Sequence, residues 1–436
     1  MFKTYKKIQH SGREFSVLAL PGSNLFKLEI INDFGADVER LYGPKVGRNV
    51  YGMTHLIEHL GFRATKDFPT EQLMAELKAN GEYNASTDHN QINYFYKTIT
   101  PHYKMAIKLA CNFTFNDLTG IPEDEYLTER GVVFNEAKRY ADDDQTMFHF
   151  KISPTVLGRH EEDTIIGVPE TINTFTLEDC INMKAIFLKN GKVTYNVTYD
   201  PLGVSIETVL TEICDQLDRF PAPTVIETDV SYEEYTQSRN MDGVALKSSV
   251  IQNDSDQRLV AYIFDVVPPK DASVTDWANS YVSQYAVGIS LNDYIREKNG
   301  LTYGLHFYSP EYGDKHFVQF SCDVSRGNEE ILLKLFNQSV NECYNTWTVD
   351  KYNNYRATKA LKTGLYLVNL GGYAFVHSVG REEPELFAKY SELFAENIDV
   401  AWDTIVQKEF TFEKMRSYMK CLVDTVNCGQ YTVVTN

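Results

Sequence analysis

Apolar positions in the first half of the chain switch repeatedly between a two-residue and a helical period, which predicts strands and helices in alternation. FSVLAL (15–20) and NLFKLEIIND (24–33) predict a pair of strands separated by a Pro21–Gly22 turn. THLIEHLGF (54–62) follows as a short helix, and TEQLMAELKANG (70–81) as another, with Thr70 as its N-cap and Gly81 as its stop. NQINYFYKTI (90–99) alternates and is rich in aromatics, the pattern of a strand, and a helix runs on through YKMAIKLACNFT (103–114). PEDEYLTERGVVFNEAKRYADD (122–143) predicts a long helix, with Pro122 in its first turn and acids at the positive end of its dipole. A further helix, TLEDCINMKAIFL (176–188), and a strand, KVTYNVTYD (192–200), complete this half.

The polar stretch 220–245 carries two prolines and predicts a linker. Beyond it the pattern returns. LMAELKANG (73–81) precedes the aromatic strand of the first half, and LNDYIREKNG (291–300) precedes a second aromatic strand, HFVQFSCDV (316–324). Gly81 and Gly300 lie 219 residues apart, close to half of the 436, which points to a duplicated unit. A sheet with helices, occurring twice, predicts an α/β or α+β sandwich. The division expected is 1–222, a linker at 223–245, and 246–436.

Composition narrows the class. Apolar residues make up 43% and aromatics 13%, enough for packed cores, so the chain is not a disordered one. The net charge of −18 disfavours nucleic acid and anionic membrane surfaces, and fits a soluble acidic surface with basic or neutral substrates. Seven scattered cysteines with no C-x-x-C read as reduced thiols and not as a disulfide framework. The N-terminal stretch has neither a signal-peptide pattern nor a span-length apolar run, so a soluble, cytoplasmic protein is the expectation.

The chemistry concentrates in HLIEHLGF (55–62). Residues i, i+3 and i+4 share one face of a helix, so His55, Glu58 and His59 can point into one cleft. Zinc takes imidazole nitrogen and carboxylate oxygen, and a catalytic site needs three protein ligands and an open position. Two histidines supply two of these, and the glutamate between them is placed to take a proton. The long helix offers carboxylates for the third. Glu129 and Glu136 stand one heptad apart on the same face, while Glu123 and Glu125 crowd its solvated start. A charged helix face is common, and spacing alone does not choose among them.

H-x-x-E-H followed after 76 residues by Glu136, within E-R-x-x-x-x-x-E, resembles the pitrilysin / insulin-degrading-enzyme / mitochondrial-processing-peptidase family of inverted zincins. The text from HLIEHLGF to NQINYFYKT resembles that family's zinc helix, following helix, edge strand and aromatic strand in order, and IIGVPETINTFTLEDCINM (165–183) resembles a further family segment. The resemblance is strong over residues 15–200 and thinner over 250–436. It implies two homologous α/β sandwich domains, each a mostly antiparallel sheet covered by helices, the second without metal. It implies zinc held by His55, His59 and Glu136, Glu58 as general base, and Glu129 orienting a ligand histidine or the site water. Asn84 and Ala85 match the edge strand to which substrate adds as a further strand. Arg296 and Tyr303, seven apart, resemble the pair that donates to the substrate carbonyl and its oxyanion.

The activity this implies is zinc-dependent hydrolysis of peptides or unfolded segments inside a chamber. Relatives close two halves of this size around that chamber, so a second chain is expected, and a homodimer in which each zinc faces the partner's Arg and Tyr pair fits best; a homologue is the alternative. A dedicated processing peptidase, or an inactive assembly subunit, are the rival readings. The chain departs from the family after the zinc helix, where LGFRATK replaces the usual Gly-Thr text, which bears on substrate preference and not on the metal. His89, His149, His160 and His377 have no such context and read as structural or solvated.

Overall fold

A computed structural model describes residues 2–223, 228–251, 257–265, 274–308, 310–354 and 384–436. The first half folds around strands β1 (Thr4–His10), β2 (Arg13–Ala19), β3 (Leu25–Asn32), β4 (Glu82–Thr87), β5 (Ile92–Ile99) and β6 (Val193–Tyr199). They form one sheet in the order β1-β2-β6-β3-β5-β4, antiparallel except where β2 runs parallel to β6. β1 was absent from the sequence-based expectation. Its hairpin turns at Ser11 and Gly12, both at positive φ, the mirror-image turn that matches strand twist.

The pair expected around Pro21–Gly22 is not a pair: β6 lies between β2 and β3. The loop crosses the end of β6, and Asp200, just past that strand, accepts the backbone N–H groups of Gly22 and Asn24. Helices α1 (Glu39–Val46), α2 (Met53–Leu60), α3 (Thr70–Asn80), α4 (Tyr103–Thr114), α5 (Glu123–Ala141), α6 (Asp144–Leu157), α7 (Pro169–Ile172), α8 (Leu177–Asn190) and α9 (Ile206–Leu217) complete this half. One continuous core joins them to the sheet, with Phe26, Leu28 and Ile30 of β3 packed among Leu56, Ile57, Ile107 and Phe113. Thr70 is the first helical residue of α3 and not its cap. Pro69 takes the cap position, and the Thr70 hydroxyl bonds the Glu125 carboxylate instead.

The segment expected as a linker is packed where it is described. It carries α10 (Tyr232–Ser238), capped by Ser231 and Glu234, and Tyr235 stacks on Phe34 with ring centroids 4.4 Å apart. One turn on, Arg239 bonds Asp37 of the first half and Glu311 and Gly313 of the second.

The second sheet is built from β7 (Ser249–Val250), β8 (Gln257–Phe264), β9 (Leu305–Tyr308), β12 (Val318–Ser325) and β13 (Thr432–Thr435), in the order β7-β13-β8-β12-β9. A two-stranded ribbon, β10 (Glu311–Tyr312) and β11 (Lys315–His316), precedes β12. α11 (Val274–Asn292), which ends in a π-helical turn over Asp293–Lys298, packs with α12 (Glu329–Thr346) and the helix Phe412–Asn427 on this sheet. Helices Pro384–Glu396 and Ile398–Glu409 cross back to cover Tyr5, Leu18 and Leu20 of the first sheet. α6 contributes Phe148, Ile152 and Val156 to a core with Ala261 and Ile263 of the second. Among the described residues the halves thus meet through these two apolar clusters. Among the described residues no helix is long and apolar enough to cross a membrane.

Candidate metal centre

α2 is short, and its start is fixed from outside. Gly52 sits at φ +92° against the backbone of Ile166 and Gly167, where a Cβ would clash. The buried Glu39 carboxylate accepts the backbone N–H groups of Gly52 (3.0 Å) and Thr54 (2.6 Å), which occupies donors that the first helical turn leaves free. Burial pushes the Glu39 carboxyl up to about 8, against the pull of those two hydrogen bonds. Met53, Leu56, Ile57 and Leu60 enter the core. The remaining face carries His55, Glu58 and His59, as the helical spacing requires.

α5 packs across α2 and brings two carboxylates to that face. Glu136 Oε2 lies 3.5 Å from His59 Nε2 and 3.9 Å from His55 Nε2. One donor atom from each of the three residues falls within 4.8 Å of the others. Donors bonded to one tetrahedral zinc at about 2.0–2.2 Å stand roughly 3.3–3.6 Å apart, so the three fit that ion in kind and nearly in spacing. Glu129 is buried one heptad earlier and bonds the other nitrogen of His59, Nδ1, at 2.8 Å. That bond leaves Nε2 turned to Glu136. Arg63, just past the helix end, pairs with the second oxygen of Glu129. His55 is held neutral, its pKa lowered to about 3 by burial and then by the charge of His59. Its Nδ1 is buried with no hydrogen-bond partner among the described residues.

Glu58 is 8% exposed, and burial raises its affinity for a proton; a hydrogen bond from the Thr87 hydroxyl (2.6 Å) and the charge of His59 oppose that rise. It lines a cavity of about 260 Å³ together with His59, Phe62, Arg63, Met74, Tyr83, Asn84 and Glu129. β4 borders this cavity and is the edge strand of its sheet, paired among the described residues on one side only, by β5. Asn84 and Ala85 lie on it, opposite Phe95 and Tyr94.

The structure thus brings together His55, Glu58, His59, Glu129 and Glu136, with Asn84 and Ala85 beside them. It does not bring Arg296 and Tyr303 to this cluster. They belong to the second half, where the Arg296 guanidinium lies 5.2 Å from the centre of the Tyr303 ring. Tyr303 is 84% exposed, far more than a core tyrosine. His89 bonds the buried Asp37 at 3.2 Å, a structural role, and His377 lies outside the described residues. Three residues of the site escaped sequence reasoning. Arg63 stands four after His59, a spacing that signals contact only while a helix continues. Thr87 ends the stretch NAST, within reach of notice. Glu39 carries no local signal at all.

Residues 47–166 match the family described as Insulinase (Peptidase family M16), and residues 203–359 match Peptidase M16 inactive domain. An uncharacterized zinc protease of Rickettsia felis is 21% identical over 72% of this chain and 73% of its own. The crystal structure of a protease from Helicobacter pylori superposes with a TM-score of 0.72 at 17% identity, over 100% of this chain and 99% of that one. The periplasmic protease PqqL from Escherichia coli gives a TM-score of 0.65 at 13% identity; the match takes in 99% of this chain but 47% of PqqL. With the two family matches lying in order along it and zinc proteases among its relatives, the chain belongs to the insulinase (M16) peptidase family, the pitrilysin-type group that its H-x-x-E-H text resembles.

Proposed function

We propose that the chain is a zinc metalloendopeptidase acting on peptides or unfolded segments, and that it works as a pair of chains enclosing the substrate. The observation that carries this reading is the convergence of His55, His59 and Glu136 beside Glu58 and an open strand edge. His55 Nε2, His59 Nε2 and a Glu136 oxygen would hold the zinc. When bound, zinc supplies Lewis acidity, polarising a carbonyl and easing deprotonation of water. Glu58 takes the proton and returns it to the leaving amine. Glu129, itself held by Arg63, keeps His59 in the tautomer whose Nε2 is free to bind. β4 offers its unpaired edge to an extended peptide, whose backbone it grips through Asn84 and Ala85.

Arg296 and Tyr303 are the donors to the developing oxyanion, reached across the interface from the second chain. The exposure of both side chains and their place outside the cluster and its cavity lining within one chain support this, as does PqqL, of whose length this chain matches 47%. Metal analysis and turnover of a peptide library test the reading, wild type against Glu136→Gln. The wild type is expected to bind one zinc per chain and cleave, and the variant to lose both. A variant that kept metal and activity would remove Glu136 from the ligand set. A fully active monomer would sink the paired chamber.

A further inference from the structure

We propose that Thr87 is a positioning residue for proteolysis: its hydroxyl aims the Glu58 carboxylate, so that the strand gripping the substrate also sets the base. This rests on the proteolytic reading above.

Thr87 Oγ1 donates to Glu58 Oε2 at 2.6 Å and is the one hydrogen-bond donor to that carboxylate among the described residues. A carboxylate on a side chain with several rotatable bonds needs such a partner to keep one orientation, and a hydrogen bond to a charged group is among the stronger ones. With Oε2 engaged, Oε1 is the oxygen left to receive a proton. The donor is itself stiff, since the β-branch of threonine restricts χ1.

Thr87 also sits where it cannot drift. It is the last residue of β4, opposite Ile92 of β5. The turn that follows is clamped on one side by the backbone of the first half, through Ala36 N to Asp88 O and Asp37 N to His89 O, both 2.9 Å. Gly35 makes this approach possible, because a Cβ there would stand 2.3 Å from Asp88 O. On the other side, Asn90 donates to Glu311 of the second half at 3.1 Å, and Arg239 joins Glu311 to Asp37. The turn, and with it the Thr87 hydroxyl, is thus referenced to both halves. A peptide adding along β4 meets the same backbone two and three residues away, at Ala85 and Asn84.

The test compares Thr87→Val, Thr87→Ser and Glu58→Gln in the zinc-loaded enzyme with a peptide substrate. Valine keeps shape and strand preference but removes the donor, so melting temperature and zinc content are expected to stay at wild-type values. kcat is expected to fall about ten-fold or more, the worth of a lost hydrogen bond to a charged group, with KM within about two-fold. Serine is expected to recover most of the loss. Thr87→Val at wild-type speed, a loss confined to KM, a loss that follows zinc content, or serine no better than valine would each overturn the inference. If Glu58→Gln is inactive while Thr87→Val keeps wild-type speed, this inference fails and the proteolytic reading stands. If the zinc-loaded wild type cleaves no peptide, both fail.

Discussion

The two halves are built alike and equipped differently. In the first, β2-β6-β3-β5-β4 has one parallel pair, β2 with β6, and is otherwise antiparallel. In the second, β7-β13-β8-β12-β9 repeats that order and sense, with β7 parallel to β13. The edge strand follows a helix and precedes the central aromatic strand in both. The helices between β3 and β4 and between β8 and β9 differ in what they bury. α2 buries His55 and Glu58, groups that bind metal or move protons. α11 buries Asn279, Ser280, Ser283 and Gln284, neutral amides and hydroxyls. These satisfy one another and the nearby backbone: Gln284 donates to Ser280 Oγ at 3.1 Å, and Asn279 to the Glu409 carbonyl at 2.7 Å. One fold thus carries a candidate metal centre in one copy and structural polar packing in the other. Chemistry resides in the side chains placed on the fold, not in the fold.

The strongest way to break this contrast is to damage each half separately. Glu58→Gln is expected to cost about 10²–10⁴ in kcat, as loss of a general base does. Tyr303→Phe in the other half is expected to cost about 10²–10³, the worth of one oxyanion donor, with zinc content unchanged. An equal mixture of the two inactive variants is expected to regain roughly a quarter of wild-type turnover, because half of the dimers are hybrids with one intact site. No recovery, with exchange of chains verified, would show that the sites are not shared between chains.

A smaller effect sharpens the difference between α2 and α11. Glu129→Ala is expected to weaken zinc binding about 10–100-fold by freeing the ring of His59, measured by competition with a chelator. Gln284→Leu, in the corresponding helix of the second half, is expected to leave zinc affinity and turnover unchanged. It should alter only thermal stability, by about 1–2 kcal/mol.

The effect furthest from turnover concerns how stability depends on pH. Lys184 is fully buried in the first core and donates to the Thr114 carbonyl at 2.9 Å; burial lowers its pKa to about 7 from the usual 10.5, slightly offset by Asp117. Between those values the unfolded chain holds a proton that the folded chain does not, so this group makes stability rise with pH from about 7 to 10.5. Below about pH 7 the folded state carries the full cost of the buried charge. Lys184→Met is expected to flatten that slope, which is at most about 1.4 kcal/mol per pH unit, in denaturant titrations at several pH values. An unchanged slope would mean that Lys184 stays charged or that another group dominates.

Much of the fold was legible where the pattern is local. The helices around TEQLMAELKANG, YKMAIKLACNFT and TLEDCINMKAIFL lie within a residue or two of their expected bounds, because helical periodicity needs only neighbours within one turn. β1 and α6 were missed. KTYKKIQH has little apolar content, and β1 is completed by the return helices, through Tyr5 against Phe394. The strand pair around Pro21–Gly22 misled, since a strand that begins only at Val193 inserts between its members and no local text announces that. Within the site, the two histidines and Glu58 could be read from one turn of helix. Arg63, Thr87 and Glu39 act through contacts 66, 29 and at least 13 residues away, which residue spacing does not encode.

The sequence by itself determined the candidate ligand types, their common face on α2, the candidate carboxylates on α5 and the duplicated order of elements. Each follows from period and residue chemistry, which are properties of the chain. Only the tertiary structure decided which carboxylate meets which ring nitrogen: Glu129 at His59 Nδ1, and Glu136 facing both Nε2 atoms. It also decided that Arg296 and Tyr303 stack on each other away from that centre, and that Thr87 reaches Glu58. Such choices depend on how α5 crosses α2 and how the β4–β5 turn is clamped, and many distant residues set those packings together.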